Sequence, residues 1–302
     1  MTGTRSPSAA DAAEIARLEE AARRIRVEVV RAVNHARGGH LGGPLSAADL
    51  LAALYFHVMR VRPEEPAWPA RDRFILSKGH SAIGLYATMA LRGYFPVSEL
   101  ATFDAIDSRL QGHPDMRLLP GLDMSTGSLG MGISAGVGIA LGARLTNQAV
   151  RTFVMLGDGE CQEGEVWEAA FVAARYGLDN LVAIVDHNRL QQYGWPGERP
   201  EVRLPPEAPG ELAAKWGAFG WRVLETDGHD MAALVPVLED AARPGGRPAV
   251  VIAHTTKGRG VSFMEDRFYW HTRILTPEEF ATAMAELGEP PEDTAATSGD
   301  GR

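Results

Sequence analysis

One segment, residues 156–194, constrains the fold of this chain more than any other. A hydrophobic run over 153–156 predicts a buried strand, and the run ends in the turn Gly157-Asp158-Gly159. A helical pattern of apolar residues follows, and a second hydrophobic run over 181–185 ends in Asp186-His187-Asn188. This order predicts a strand–helix–strand unit whose two strands are parallel. We therefore expect an α/β fold, in which a parallel sheet is flanked by helices on both faces.

Both predicted strands are followed by a side chain that carries an oxygen ligand, Asp158 in one case and Asn188 in the other. The carboxyl ends of parallel strands meet at one edge of a sheet, where open α/β sheets bind ligands. Oxygen ligands suit Mg2+, which takes few protein ligands and leaves positions for phosphate oxygens and water. The flanking Gly157 and Gly159 let backbone N–H groups approach an anion. A tight turn without a ligand is the alternative, but the second strand end favours a metal–diphosphate site.

Length and composition restrict the class of protein. The chain has 302 residues, a hydrophobic content of 45% and a formal net charge of −9 at pH 7. That charge argues against a general surface for nucleic acid or membranes. Because Cys161 is the single cysteine, an internal disulfide and a cysteine-based zinc cluster are excluded, and a cytoplasmic location is favoured. The first residues contain no apolar signal core, so we expect no signal peptide, and no apolar run is long enough to span a bilayer.

The predicted domain occupies residues 11–287. Residues 1–10 are small and polar, and we expect them to be disordered. Residues 288–302 are rich in Glu, Pro, Ser, Thr and Gly, which predicts a disordered tail.

Local signals predict where several helices begin. Apolar residues at helical spacing predict an amphipathic helix over 11–36. The glycine-rich stretch 38–44 predicts a loop, and Ser46 is expected to cap the next helix, which would run to about Met59. Near the end of the chain, Asp230 is predicted to cap the helix that follows it.

Four histidines fall in loops at separate places in the chain. They lie in the stretches GGHLGGP, LSKGHS, QGHPD and YWHT, and they are His40, His80, His113 and His271. Imidazole titrates near neutral pH, so histidines that meet in one polar pocket are candidate proton carriers. Each could also be an ordinary turn residue, and the residues alone leave both interpretations open.

Two cationic residues, Lys257 and Arg259, follow the last predicted strand at 249–254. At the end of a parallel strand they would hold an anion, whereas on a solvated loop they would be ordinary surface charges. Both interpretations stay open at this point.

A GDG turn followed about thirty residues later by Asn resembles the thiamine diphosphate fingerprint. The longer segments GDGECQEGEVWEAA and NLVAIVDHNRLQ are similar in sequence to the transketolase branch of that superfamily. The resemblance extends over about residues 26 to 280, nearly the whole chain. It implies the diphosphate domain of the thiamine diphosphate-binding fold, with thiamine diphosphate and Mg2+ (or Ca2+ or Mn2+) as cofactors.

The resemblance also implies roles for individual residues. Asp158, Asn188 and the Leu190 carbonyl would hold the metal, and the four histidines would be catalytic. Glu163 and Glu168 would lie near a subunit interface, where acidic residues link the paired active sites. The residues expected to bind the cofactor lie in loops at the strand ends, and they are His80, Gly127, Leu129, Gly157, Asp158, Gly159, Glu163, Asn188 and His271.

The chain departs from the family pattern at several loop positions. Gly39 stands where Ser is usual, and Leu41 stands where Pro is common. Met131 replaces a common Gln, and Thr272 replaces the usual Gly. The last two departures put the substrate preference in doubt.

The resemblance implies that part of the enzyme lies on another chain. Thiamine diphosphate enzymes need a second domain that binds the aminopyrimidine and supplies a glutamate, and no second α/β pattern with such a glutamate is present. We expect the N-terminal subunit of a split transketolase, completed by a C-terminal subunit in an α2β2 assembly. The expected reaction transfers a two-carbon ketol unit between sugars or sugar phosphates. The alternatives are acyl transfer from a 2-oxo acid such as pyruvate to a sugar-like acceptor, and a non-catalytic diphosphate-binding half.

Overall fold

In the computed structural model, residues 9–190 and 210–289 are described. Within them the chain forms a five-stranded sheet in the order β1-β2-β3-β5-β4, and every pair of neighbours is parallel. The predicted parallel sheet is therefore confirmed. The strands are β1 (Arg73–Leu76), β2 (Thr152–Gly157), β3 (Leu181–His187), β4 (Arg222–Asp227) and β5 (Ala249–His254).

Alternating side chains of the central strands supply two separate hydrophobic cores. On β2, Phe153 and Met155 belong to one core, whereas Val154 and Leu156 belong to the other. All four side chains are completely buried. A strand that is covered on both faces has no solvent side, which is why β2 and β3 are continuous hydrophobic runs in the sequence.

Eight α-helices cover the two faces of the sheet in the part of the chain described. The first core contains residues of α1, α2, α3, α7 and α8, and the second contains residues of α4, α5 and α6. The helices are α1 (Ala9–Ala36), α2 (Gly42–Ala53), α3 (Ala82–Arg92), α4 (Met131–Leu145), α5 (Gly164–Arg175), α6 (Glu211–Ala218), α7 (Met231–Ala241) and α8 (Pro277–Glu286). None of these helices has the length and apolar character needed to cross a membrane.

The predicted start of α2 is wrong. The helix begins at Gly42, so part of the expected loop is helical, and Ser46 lies inside the helix rather than at its N-cap. The Ser46 hydroxyl instead donates to Asp186, 2.6 Å away. Gly42 is required because a Cβ there would lie 2.8 Å from Cγ of Lys257. A short π-helix, Leu54–Val58, continues α2 to the predicted end near Met59.

Other helix ends agree with the sequence more closely. Asp230 caps α7 as predicted, because its carboxylate accepts from the backbone N–H groups of Ala232 and Ala233 at 3.0 and 3.2 Å. The first helix begins at Ala9, two positions before the predicted start at Asp11.

The predicted disordered ends extend over 1–10 and 288–302, and most of those residues lie outside the described part of the chain. Glu289 is described, and its carboxylate forms ion pairs with Arg23 and Arg31 of α1 at 3.3 and 3.2 Å.

Candidate functional site

A cavity of about 300 Å³ lies at the carboxyl edge of the sheet. All of the predicted site residues line it except His113. The turns after β1, β2, β3 and β5 supply most of the wall, and the N-terminal end of α2 supplies Gly43. The fold therefore brings residues from widely separated loops together around one cavity in the part of the chain described.

Asp158 and Asn188 meet at one end of the cavity. β2 and β3 are in register with Gly157 beside Asp186, so the residues that follow the two strands are neighbours. Asp158 accepts from its neighbour Gly159 N–H at 2.8 Å and from the N–H of Arg189, which follows Asn188. The amide oxygen of Asn188 accepts from the Leu190 N–H at 3.0 Å. These bonds fix both oxygen-bearing side chains at the cavity edge.

The oxygen donors at this end fit a hard divalent cation. Burial, followed by the nearby Asp186 carboxylate, raises the pKa of Asp158, and a bound cation would relieve both effects. The Leu190 carbonyl accepts from the Lys257 ammonium at 3.0 Å, so a metal ion bound by this carbonyl would take the place of that hydrogen bond. In the described ranges no group of three or more His, Cys, Asp or Glu residues could hold a metal. A metal here would therefore need ligand phosphate or water oxygens, as Mg2+ commonly does.

The four histidines cluster in and beside the cavity. The ring centroid of His40 lies 5.1 Å from the centroids of His80 and His271, and 6.2 Å from the centroid of His113. The rings of His80 and His271 are 5.0 Å apart. The structure thus brings the four histidine loops together, and His113 lies beside His40 but does not line the cavity.

Three of the histidines are held in the neutral form. Burial, followed by nearby cationic groups, lowers the pKa of His40 to about 4 and that of His271 to about 3. Burial and then Lys78 lower the pKa of His80 further. A neutral imidazole offers one hydrogen-bond donor and one acceptor, so these rings can accept a proton or bind hydroxyl groups near neutral pH.

Backbone contacts hold the histidine loops together. His40 pairs with Thr272 in an isolated antiparallel bridge, and the Leu41 N–H donates to the carbonyl of His271 at 3.3 Å. Gly39 has a φ of 121°, and a Cβ at this position would lie 3.0 Å from the ring of Phe103. A side chain at position 39 would therefore be strained, which accounts for glycine at the position where the family pattern has Ser.

The other two departures from the family pattern lie outside the cavity wall. Met131 is 47% exposed at the start of α4, and Thr272 is also exposed. Neither residue lines the cavity. Neither side chain therefore changes the shape of the described cavity directly.

Two buried lysines add positive charge to the site beyond the residues that the family resemblance implies. Lys78 donates to the carbonyl of Gly43 at 3.2 Å and to Asp186. Lys257 donates to the Leu190 carbonyl and lies 3.0 Å from Nδ1 of His271. Burial, and then Lys78, lower the pKa of Lys257 to about 8. Both lysines line the cavity, which favours the anion-binding interpretation that the sequence left open for Lys257. Arg259 instead pairs with Glu265 at 3.6 Å and does not line it.

Glu160, like Lys78, is a site residue that the sequence patterns did not reveal. Its buried carboxylate accepts from the N–H groups of Gly130 and Gly157, at 2.9 and 3.1 Å, and from the hydroxyl of Ser77. Burial raises the pKa of Glu160. These bonds tie the Gly127–Gly130 turn to the Gly157-Asp158-Gly159 turn. No sequence signal distinguished this glutamate from its acidic neighbours.

Comparison with known protein families gives a match over almost the whole chain. Residues 18–299 match the family described as the transketolase thiamine diphosphate binding domain. The chain is 44% identical over 249 residues to the 6-deoxy-6-sulfo-D-fructose transketolase subunit SqwG of Clostridium sp. (strain MSTE9), a match that covers 82% of this chain and 88% of that protein. It is 39% identical over 276 residues to an apulose-4-phosphate transketolase subunit of Phocaeicola vulgatus, covering 91% of this chain and 95% of the relative.

Longer transketolases match over less than half of their length. The mouse transketolase is 38% identical over 287 residues, a match that covers 95% of this chain and 44% of that protein. The structure of Pichia stipitis transketolase with sedoheptulose 7-phosphate superposes with a TM-score of 0.83 at 32% identity, covering 91% of this chain and 41% of that one.

Proposed function

Because the chain belongs to the transketolase family, we propose that its cavity binds the diphosphate end of thiamine diphosphate and serves the transfer of two-carbon ketol units. The observation that carries the proposal is the convergence of Asp158, Asn188 and the four histidines on one cavity. Thiamine diphosphate, when bound, would supply the nucleophilic carbon and the electron sink that ketol transfer needs. The residues of this chain bind the cofactor, orient the substrate and move protons.

We propose that Asp158, Asn188 and the carbonyl of Leu190 hold Mg2+, or Ca2+ or Mn2+, beside the diphosphate. All three supply oxygen atoms, and the raised pKa of Asp158 supports the proposal because a bound cation would favour the charged carboxylate. Gly127, Leu129, Gly157, Gly159 and Glu163 would form the rest of the cofactor-binding wall, with His80 and His271.

His40, His80, His113 and His271 are the proposed proton carriers and sugar-hydroxyl ligands. Low pKa values keep His40 and His271 unprotonated in the absence of ligand, so each ring can hydrogen-bond a substrate hydroxyl group. The proximity of several rings allows one histidine to accept a proton while another hydrogen-bonds a substrate hydroxyl.

We propose that a separate C-terminal subunit completes the active site. The proposed partner carries the pyrimidine-binding domain and the activating glutamate, and we expect an α2β2 assembly. Support comes from two relatives that are themselves named as transketolase subunits and are matched over 88% and 95% of their length. We also propose a cytoplasmic location, which the single cysteine of the chain favours and which cell fractionation would test.

The relatives also suggest a class of donor. One is named for 6-deoxy-6-sulfo-D-fructose and another for apulose 4-phosphate, both of which carry a terminal sulfonate or phosphate. We propose a ketose with a terminal anionic group as the donor. The acyl-transfer alternative depended on Met131 and Thr272, and neither residue lines the cavity described for this chain.

The test is reconstitution with Mg2+ and thiamine diphosphate. The chain, the product of the neighbouring reading frame and an equal mixture of the two are assayed for transfer from a ketose phosphate and from a sulfoketose, with pyruvate in parallel. We expect ketol transfer only in the mixture. Transfer from pyruvate would replace the proposal with acyl transfer, and activity of this chain alone would refute the need for a partner.

A further inference from the structure

A buried polar chain runs from α1 to the loop that carries Lys257. Arg26 of α1 pairs with Asp49 of α2, and the side chains of both are 9% exposed. Asp49 lies 2.6 Å from Nδ1 of His229, whose side chain is also 9% exposed. On its other side, Nε2 of His229 accepts a hydrogen bond of 2.8 Å from the backbone N–H of Thr256. None of these residues lines the cavity.

The bond to Thr256 determines the tautomer of His229. A backbone N–H can only donate, so Nε2 must be unprotonated, and Nδ1 must carry the hydrogen that faces Asp49. Burial opposes the charged form of Asp49, but Arg26 and His229 outweigh it and lower the pKa of this carboxyl. Both nitrogens of the His229 imidazole are thus used, and its plane is fixed from both sides.

Thr256 is the residue immediately before Lys257. Its neighbour Thr255 donates a side-chain hydrogen bond to Asp186, and the Gly258 N–H donates to the carbonyl of Gly42 at 3.0 Å. Gly258 has a φ of 78°, and a Cβ there would lie 2.5 Å from the carbonyl oxygen of Met264. The backbone is therefore held on both sides of Lys257, and His229 supplies the contact at Thr256.

We propose that His229 is a positioning residue, which sets the Lys257 ammonium against the anionic end of the bound cofactor by holding the amide of Thr256. The identity of the anion as thiamine diphosphate rests on the proposed function. The contact by which His229 holds the amide of Thr256 does not depend on it. A lysine side chain has many rotamers, so its ammonium is useful to a bound anion only where the backbone beneath it is fixed.

Two substitutions separate the two hydrogen bonds of the ring. In His229→Asn the amide nitrogen can replace Nδ1 toward Asp49, but no atom reaches Thr256. In His229→Gln the side-chain oxygen can replace Nε2 toward Thr256, but the donor to Asp49 is lost. Asp230→Ala is the matched control, because it removes the cap of α7 beside His229 without touching Thr256.

The variants are compared in the assembled enzyme by two measurements. Hydrogen exchange of the 255–258 amides is followed without cofactor, and thiamine diphosphate affinity is measured by calorimetry with Mg2+. For His229→Asn we expect faster exchange at Thr256 and about tenfold weaker cofactor binding, the usual size of one lost hydrogen bond. His229→Gln should stay within about threefold of the wild type in both measurements and should lose thermal stability instead.

A double variant tests whether His229 acts through Lys257. If it does, His229→Asn combined with Lys257→Met should bind the cofactor no more than about twofold more weakly than Lys257→Met alone. Fully additive losses would refute the proposal, as would equal losses of affinity in the Asn and Gln variants, or a loss of the same size in Asp230→Ala. Failure of the wild type to bind thiamine diphosphate would refute the proposed function instead, and the exchange measurement would still decide the role of His229.

Discussion

Lys78, which lines the cavity, forms an ion pair with Asp186, and their side chains are only 2% and 0% exposed. The same carboxylate accepts hydrogen bonds from the hydroxyls of Ser46 and Thr255. Asp186 therefore joins the start of α2, the turn after β1 and the turn after β5. Each of these segments supplies a residue to the cavity wall, so one buried carboxylate keeps three parts of that wall in place.

Asp186→Ala should lower the free energy of unfolding by about 3–5 kcal/mol, because it leaves the ammonium of Lys78 buried without its partner. Urea denaturation measures the loss. The double variant Lys78→Met with Asp186→Leu should lose clearly less free energy of unfolding than Asp186→Ala, because no unpaired charge remains. An equal loss in the single and double variants would show that the charge of Lys78 is not what makes Asp186 necessary.

Two glycines of α4 should respond to alanine in opposite directions. A Cβ at Gly136 would lie 2.5 Å from Cγ2 of Val154 on β2, whereas a Cβ at Gly138 meets nothing within 4 Å. Gly136→Ala should therefore lower stability by about 1–3 kcal/mol through overpacking. Gly138→Ala should raise it by about 0.5–1 kcal/mol in the isolated chain, because alanine has the higher helix propensity. Urea denaturation of both variants is the measurement, and effects of the same sign would contradict the described packing of α4 on the sheet.

His57 should make stability depend on pH. Its ring bridges Glu14 of α1 and Glu239 of α7 at 2.9 and 3.0 Å. Burial opposes protonation, but these two hydrogen bonds outweigh it and raise the pKa of His57 above the ordinary 6.5. Because the pKa of His57 is raised, its contribution to the free energy of unfolding is complete below about pH 6.5. That contribution is lost as the pH rises through the folded-state pKa.

The matched variant is His57→Gln, which removes the titrating group. The free energy of unfolding is measured for both proteins at pH 5.5 and pH 8.5, so that contributions from other groups cancel in the difference. The free energy of unfolding of the wild type should exceed that of His57→Gln by more at pH 5.5 than at pH 8.5. The change should be less than about 1 kcal/mol, because His57 and its two glutamates are partly exposed. A larger advantage at pH 8.5 would contradict the raised pKa.

The sequence predicts the sheet and the proximity of Asp158 and Asn188 well, for identifiable reasons. Strands buried on both faces leave continuous hydrophobic runs, and the turns after β2 and β3 place Asp158 beside Asn188 by the geometry of any parallel pair. Convergence of the four histidines was not predictable from spacing alone, and it came from resemblance to the transketolase family.

The start of α2 and the buried charges could not be predicted from local patterns. Serine is a residue type that commonly caps helices, but the hydroxyl of Ser46 donates to Asp186, which is 140 positions away. Lys78 and Asp186 are separated by 108 positions. A charged residue that is buried by a distant partner looks in the sequence like any solvated charge, so only the assembled fold identifies Lys78 and Glu160 as parts of the site.

Asp158 is proposed to hold a divalent cation, which in turn holds thiamine diphosphate. The most direct measurement is calorimetric titration of the reconstituted enzyme with thiamine diphosphate, with Mg2+ or with EDTA, for the wild type and Asp158→Asn. Asp240→Ala, which removes a carboxylate on α7 far from the cavity, controls for the change in net charge. We predict that wild-type binding requires Mg2+, that Asp240→Ala preserves it, and that Asp158→Asn weakens it by about 100-fold or more. Equal, Mg2+-independent affinity in the wild type and Asp158→Asn would contradict the account.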